Sequence, residues 1–151
     1  MTITFRKANT ADYEWLLSLR EMTMDPHIAA SGITPTLDKH EAAVKRDFEA
    51  AQIVVQQGTD IGMLKLLRTK PIWKLSQIQI VPEHQGKGIG EQILRRVLAD
   101  AAQHVDTVAL SVLKANPARA LYERLGFIIV ESSGKAYYME VKVMEVKVNE
   151  D

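Results

Sequence analysis

The chain has 151 residues, enough for one domain with a real core and too few for two comfortable ones. Lysine plus arginine and aspartate plus glutamate number 19 each, so no global field recruits nucleic acid or an anionic membrane. Cysteine is absent, which excludes disulfides, thiolate metal sites and a cysteine nucleophile. Ile3 and Phe5 alternate with Thr4 and Arg6 and predict a short first strand. Asn9 or Thr10 caps a first helix, in which Tyr13, Leu16, Leu17 and residues 19–22 make a helical stripe. The run 25–36, DPHIAASGITPT, is punctuated by Pro26, Gly32 and Pro35 and reads as mostly loop.

A second helix is expected from Asp38 through about Ala50, carrying Ala42, Ala43, Val44 and Phe48. Ile53 to Val55 and Ile61 to Leu67 read as strands joined through Gly58-Thr59-Asp60, a hairpin. A strand over 73–81 and a helix from Gly88 to about Gln103 come next. Val108, Leu110 and Val112 alternate as another strand; Asn116 and Pro117 then open a helix that Gly126 stops. Phe127 to Val130 and a long run 136–148 close the chain as strands around Ser132-Ser133-Gly134. One α/β domain over residues 1–151 is expected. The N-terminus lacks an apolar h-region and no apolar run approaches membrane-spanning length, so a cytoplasmic protein without a membrane or nucleic-acid partner is expected.

The stretch 75–98, LSQIQIVPEHQGKGIGEQILRRVL, organises the rest. Ile78, Ile80 and Val81 are β-branched and alternate with Gln77 and Gln79 until Pro82, which cannot donate to a sheet ladder. Gly86, Gly88 and Gly90 come after it, and Ile89, Ile93, Leu94, Val97 and Leu98 then recur at helical spacing. A strand, a glycine-rich turn and a helix start point several free N–H groups at one place, with the helix dipole adding positive charge. That is an anion site suited to phosphate. A dinucleotide fingerprint needs glycine where Glu91 stands, and no nucleotide-triphosphate loop with Lys followed by Ser or Thr occurs.

What fits is QxxGxG, here Gln85-Gly86-Lys87-Gly88-Ile89-Gly90, which resembles the acetyl-CoA pyrophosphate loop of the GNAT N-acetyltransferase superfamily. The run 110–127, LSVLKANPARALYERLGF, is similar to the second signature of that family. There an Asn near the pantetheine arm precedes a helix whose Tyr lies close to the thioester sulfur; the matching residues are Asn116 and Tyr122, one residue closer together than is commonest in the family. The resemblance implies the GNAT α/β fold, a mixed central sheet of about seven strands flanked by about four helices and splayed at the central strand. It implies acetyl-CoA as cosubstrate, no metal, and direct attack of a primary amine, from a small molecule or a protein, on the thioester. Ile78, Ile80 and Val81 would line the pantetheine, residues Gln85, Gly86, Lys87, Gly88, Ile89 and Gly90 would hold the pyrophosphate, and Asn116 would assist. A backbone N–H of Ile80 or Val81 would stabilise the oxyanion and Tyr122 would act as general acid.

The base is missing. Many family members use a Glu on the central strand, and 73–79 here reads WKLSQIQ without a carboxylate. Gln77 and Gln79 can bind a substrate but cannot take its proton. His27, Glu21 and Asp25 stand on the acceptor side, where His27 and Trp73 are candidate substrate contacts. A non-catalytic acyl-CoA-binding or sensing module is the alternative to an enzyme. Finally MEVKV occurs at 139–143 and again at 144–148, and its alternation slips one residue at Val143-Met144. The residues from about 144 are therefore a tail or an edge strand, and pairing through them would make a homodimer.

Overall fold

The computed structural model describes residues 2–143, so the second MEVKV and the dimer contact expected from it lie outside the described residues. Its elements are β1 (Ile3–Lys7), α1 (Tyr13–Ala30), α2 (Leu37–Lys45), β2 (Ala51–Gln56), β3 (Thr59–Leu67), β4 (Ile72–Ile80), α3 (Ile89–Ala101), β5 (Thr107–Leu113), α4 (Arg119–Arg124), β6 (Ile128–Ser133) and β7 (Ala136–Lys142). The strands form one mixed seven-stranded sheet in the order β1-β2-β3-β4-β5-β7-β6. Pairing is antiparallel for β1–β2, β2–β3, β5–β7 and β6–β7, and parallel for β4–β5. The order of helices and strands is the one the hydrophobic periodicities predict.

Two compact units divide the chain. The first holds the residues up to Leu66 together with Gln77–Lys87, and the second holds Leu67–Ser76 with the residues from Gly88 on. In the first, Leu16 and Leu19 of α1, Ile53 and Val54 of β2, and Ile61 and Leu64 of β3 are almost wholly buried. In the second, α3 buries Ile89, Ile93, Leu94, Val97, Leu98 and Ala101, the apolar stripe of its period, alongside Leu110 and Met139. Each such Leu, Ile, Val or Met side chain contributes roughly 1.5–3 kcal/mol on burial. Strand β4 passes from one unit to the other: Ile72–Leu75 pair in parallel with Thr107–Leu110, and residues 77–80 belong to the first unit. Among the described residues no helix is long and apolar enough to cross a membrane.

Three expectations need correction. The stretch 25–36 is not mostly loop, because α1 continues through Pro26 to Ala30. Gly32 at φ +77 is its C-terminal stop: Gly32 N–H donates to Ala29 O at 2.9 Å and Ile33 N–H to Ile28 O at 3.1 Å, the pairing of a Schellman motif. Ser31 Oγ adds a bond to His27 O at 2.8 Å. Second, α2 ends at Lys45 instead of running to about Ala50. Tertiary structure overrides propensity there, for Lys65 of β3 reaches the carbonyls of Ala43 and Val44 at 2.9 and 3.2 Å, and that of Arg46. Asp47 then turns left-handed at φ 52. Third, β7 ends at Lys142 among the described residues, and residues 144–148 of the run expected as strand lie outside them.

Candidate active site

In the first unit the site begins with a close approach of two strands. A methyl group at Gly62 of β3 would run into the backbone oxygen of Gln79 and stand 2.9 Å from Ile80 Cδ1, so glycine alone lets β4 come this near. Val81 N–H donates to Ile61 O at 2.8 Å. Residues 79 and 81 thus turn their polar backbone atoms toward β3, and alternation directs those of Ile78 and Ile80 to the opposite edge of β4. This corrects one expectation: the Val81 N–H is already committed, and the Ile80 N–H is the remaining candidate for an oxyanion donor. Pro82–His84 make a single 3₁₀ turn, and Gln85 Nε2 reaches back to Ile80 O at 2.9 Å, which closes the loop on the strand end.

Gly86 and Gly88 have φ of +75 and +78, a conformation that any other residue adopts with strain. Methyl groups built there meet nothing within 4 Å, so the space over the loop is open. Gly90 differs. Its φ is ordinary and a methyl group would lie 3.6 Å from Leu121 Cδ2, a normal contact. Lys87 is exposed. At the start of α3, in the second unit, Gly88 is the N-cap and supplies no side-chain acceptor. The first N–H groups of the helix therefore lack a capping side chain and carry the positive end of its dipole.

The same unit fixes Tyr122 through its local sequence. Gly126 at φ 100 ends α4 in a second Schellman motif, with Phe127 N–H donating to Tyr122 O at 3.0 Å and Gly126 N–H to Glu123 O at 3.1 Å. That turn brings the Phe127 ring edge-on to Tyr122 at 5.8 Å. Tyr122 is 7% exposed, and burial pushes its phenol up to about 12, which holds it neutral. A methyl group built on Gly90 would lie 3.6 Å from Leu121 Cδ2, so the start of α3 stands beside this helix. Asn116 is partly committed: its Oδ1 accepts from Ala118 N–H at 2.9 Å and starts α4, leaving the Nδ2 as its donor.

Residues 26–148 match the family model for the acetyltransferase (GNAT) domain. The chain belongs to the GNAT family. Three solved acetyltransferases share its fold across almost their whole length. An acetyltransferase from Thermus thermophilus is 23% identical at a TM-score of 0.75, with 94% of this chain and 97% of that one covered. The PaiA N-acetyltransferase from Thermoplasma acidophilum, solved in complex with coenzyme A, is 19% identical at 0.73, with 94% and 99% covered. The ribosomal-protein-S18-alanine N-acetyltransferase from Escherichia coli is 18% identical at 0.69, covering 94% of each.

The remaining candidates of this GNAT chain fall in different surroundings. Gln77 donates its amide to Ala43 O at 3.1 Å, and Gln79 is 6% exposed. His27 lies in the last turn of α1, its carbonyl accepting from Ser31. Trp73 is buried, stacks on His104 with centroids 5.5 Å apart, and carries the Arg68 guanidinium 5.2 Å from its ring. Of the carboxylates near α1, Asp25 lies 2.6 Å from His40 Nε2. Sequence reasoning passed over two residues of the first unit: His40, buried with its Nδ1 unpartnered, and Lys65, wholly buried. Only Lys65 had a visible signal, a single charge inside the apolar run IGMLKLL.

Proposed function

We propose that this GNAT chain is an acetyl-CoA-dependent N-acetyltransferase, one catalytic domain that moves the acetyl group directly to a primary amine. The observation that carries the reading is the uncapped start of α3 behind two left-handed glycines with open space above them. Gln85 N–H is committed to Pro82 O at 3.2 Å, so the N–H groups from Gly86 to Gly90 hold the pyrophosphate, and Ile78 and Ile80 offer the free edge of β4 to the pantetheine as an added strand would pair. Acetyl-CoA supplies an activated carbonyl. The amine nitrogen bonds to that carbon, the Ile80 N–H stabilises the developing oxyanion, and the carbon–sulfur bond then breaks. Tyr122, neutral in its buried setting, gives its phenolic proton to the departing sulfur and regains one from solvent. The proton lost by the amine leaves to water, for β4 carries no carboxylate and Gln77 is bound to Ala43 O.

The same lack of a carboxylate favours a second reading, a module that binds acyl-CoA without transferring the group. Calorimetric titration with acetyl-CoA, ATP and NAD tests the loop, and acetyl-CoA alone is expected to bind. Thiol release from acetyl-CoA across a panel of amines then separates enzyme from sensor. Binding without thiol release from any amine would leave the sensor reading.

A further inference from the structure

The ring of Tyr137, near the start of β7, collects two cations: Lys114 Nζ lies 5.2 Å and the Arg119 guanidinium 5.0 Å from its centroid. The two charges therefore stand no more than about 10 Å apart. Among the described residues no hydrogen bond holds Lys114 Nζ or the Arg119 guanidinium. The one carboxylate paired with either is that of Glu123, 3.7 Å from Arg119 Nε and half-exposed, which makes a weak pair. The strand register keeps two further carboxylates away. Tyr137 is paired with Val112 and Ser132, and Tyr138 with Ser111 and Glu131. Successive side chains of a strand face opposite ways, so Glu131 and Glu140 share the face of Tyr138 and not that of Tyr137. The Tyr137 face is that of the buried Leu110, Val112 and Met139, and α4 brings Arg119 to it.

The position of this pair says which ligand. Arg119 is the first residue of α4, in the same compact unit as α3. Two residues on, about 3 Å along the helix axis, stands Leu121, whose Cδ2 would lie 3.6 Å from a methyl group on Gly90. At the other end of α4, Arg124 Nη2 meets Glu91 Oε1 at 3.4 Å. Glu91 is also paired with Arg95 at 3.2 Å, so the acid in the first turn of α3 is already held by two arginines. An anion on the first N–H groups of α3 thus has α4 beside it, and the cations on Tyr137 at the start of that helix. Coenzyme A carries a third phosphate, on its ribose 3′ oxygen, and the sugar alone separates it from the pyrophosphate. A phosphate monoester is close to a dianion at neutral pH, and lysine with arginine offers it a point charge and a planar fork. We propose that Lys114 and Arg119, gathered on the ring of Tyr137, bind the 3′-phosphate of coenzyme A. This rests on the acetyltransferase reading and adds a second anion site to its cofactor.

The test is titration calorimetry with acetyl-CoA and acetyl-3′-dephospho-CoA, which differ only in that phosphate. The full cofactor should bind about 3- to 30-fold more tightly at low salt, the range of two partly exposed ion pairs, and the margin should shrink at high salt. Lys114→Gln and Arg119→Gln should each weaken acetyl-CoA by up to about fivefold. The double variant should bring the two ligands to within about twofold, with affinity for the dephospho compound unchanged. If the Arg119 variant fails to fold, Lys114→Gln alone serves, since it should remove part of the preference and leave the dephospho compound untouched. Equal affinities in the wild type, a preference that survives in the variants, or equal weakening of both ligands overturns this inference and leaves pyrophosphate binding at α3 standing. A protein that binds neither ligand overturns the acetyltransferase reading, and this inference with it.

Discussion

Gly90→Ala separates what the glycine loop does for folding from what it does for a ligand. Gly90 is the second residue of α3, its φ is that of any helical residue, and the added methyl group would sit 3.6 Å from Leu121 Cδ2 without strain. Alanine exceeds glycine in helix propensity by up to about 1 kcal/mol, and about half of that is expected in a first turn. A domain of this size gains roughly 2–4 °C per kcal/mol, so the melting temperature should rise by about 1–2 °C. Binding should move the other way. A pyrophosphate seated on these N–H groups meets the methyl group, and losing one charge-assisted hydrogen bond costs about 1.5–3 kcal/mol, which raises the acetyl-CoA Kd by about 10- to 100-fold. Scanning calorimetry and titration calorimetry on one preparation read both signs. A higher melting temperature with Kd unchanged would refute the placement of the phosphate at Gly90. The contrast is Gly86→Ala, where φ is +75: there the protein itself should lose about 1–2 kcal/mol, because the cost is in the backbone.

Tyr122→Phe keeps the buried ring against Phe127 and removes only the proton, so kcat should fall about 10²-fold with acetyl-CoA affinity nearly unchanged; an equal single-turnover rate would remove Tyr122 from the chemistry. The same residue predicts an alkaline loss of stability. Its folded pKa of about 12 lies above the unfolded value of 10, so between these the unfolded chain gives up the proton first and stability falls, by about 2–3 kcal/mol, a fall that Tyr122→Phe should reduce in urea titrations at pH 9 and 12. Lys65 has the opposite sign. Burial lowers its pKa from 10.5 to about 8, the unfolded chain holds the proton longer, and stability should rise between pH 8 and 10 by about 1–3 kcal/mol; the rise should be absent in Lys65→Met.

How much of this could be read from residues alone depends on how local each feature is. The glycine loop and the end of α4 were legible because both are backbone conformations written in consecutive residues. Gly86, Gly88 and Gly126 all adopt positive φ, and few other residues can stand there. The error at 25–36 has the same origin. Gly32 was read as loop punctuation, yet a left-handed glycine is also how a helix ends, and only the bonds from Gly32 and Ile33 back to Ala29 and Ile28 decide between the two. Pro26 removes one helical hydrogen bond, and a helix that continues on both sides of it, with alanines behind, absorbs that loss. The early end of α2 was illegible for a different reason: RDFEA has no breaker, and the group that stops the helix is an ammonium from β3.

The polar cluster around the end of α2 shows the same limit. Arg20 and Asp25 come from α1, His40 from α2, Arg46 from its end, Lys65 from β3 and Gln77 from β4. Each alone is an ordinary polar residue on an amphipathic element, and the charge balance of the whole chain is zero. What distinguishes them is accounting of partners after folding. Asp25 has His40, Lys65 and Gln77 have the carbonyls that end α2, and among the described residues the enclosed Nε of Arg20 has no hydrogen-bond partner. A loop that binds a constant ligand can be encoded as a motif because the same backbone must recur wherever that ligand is held. A site for a variable ligand is assembled from side chains on separate elements, so no run of consecutive residues encodes it.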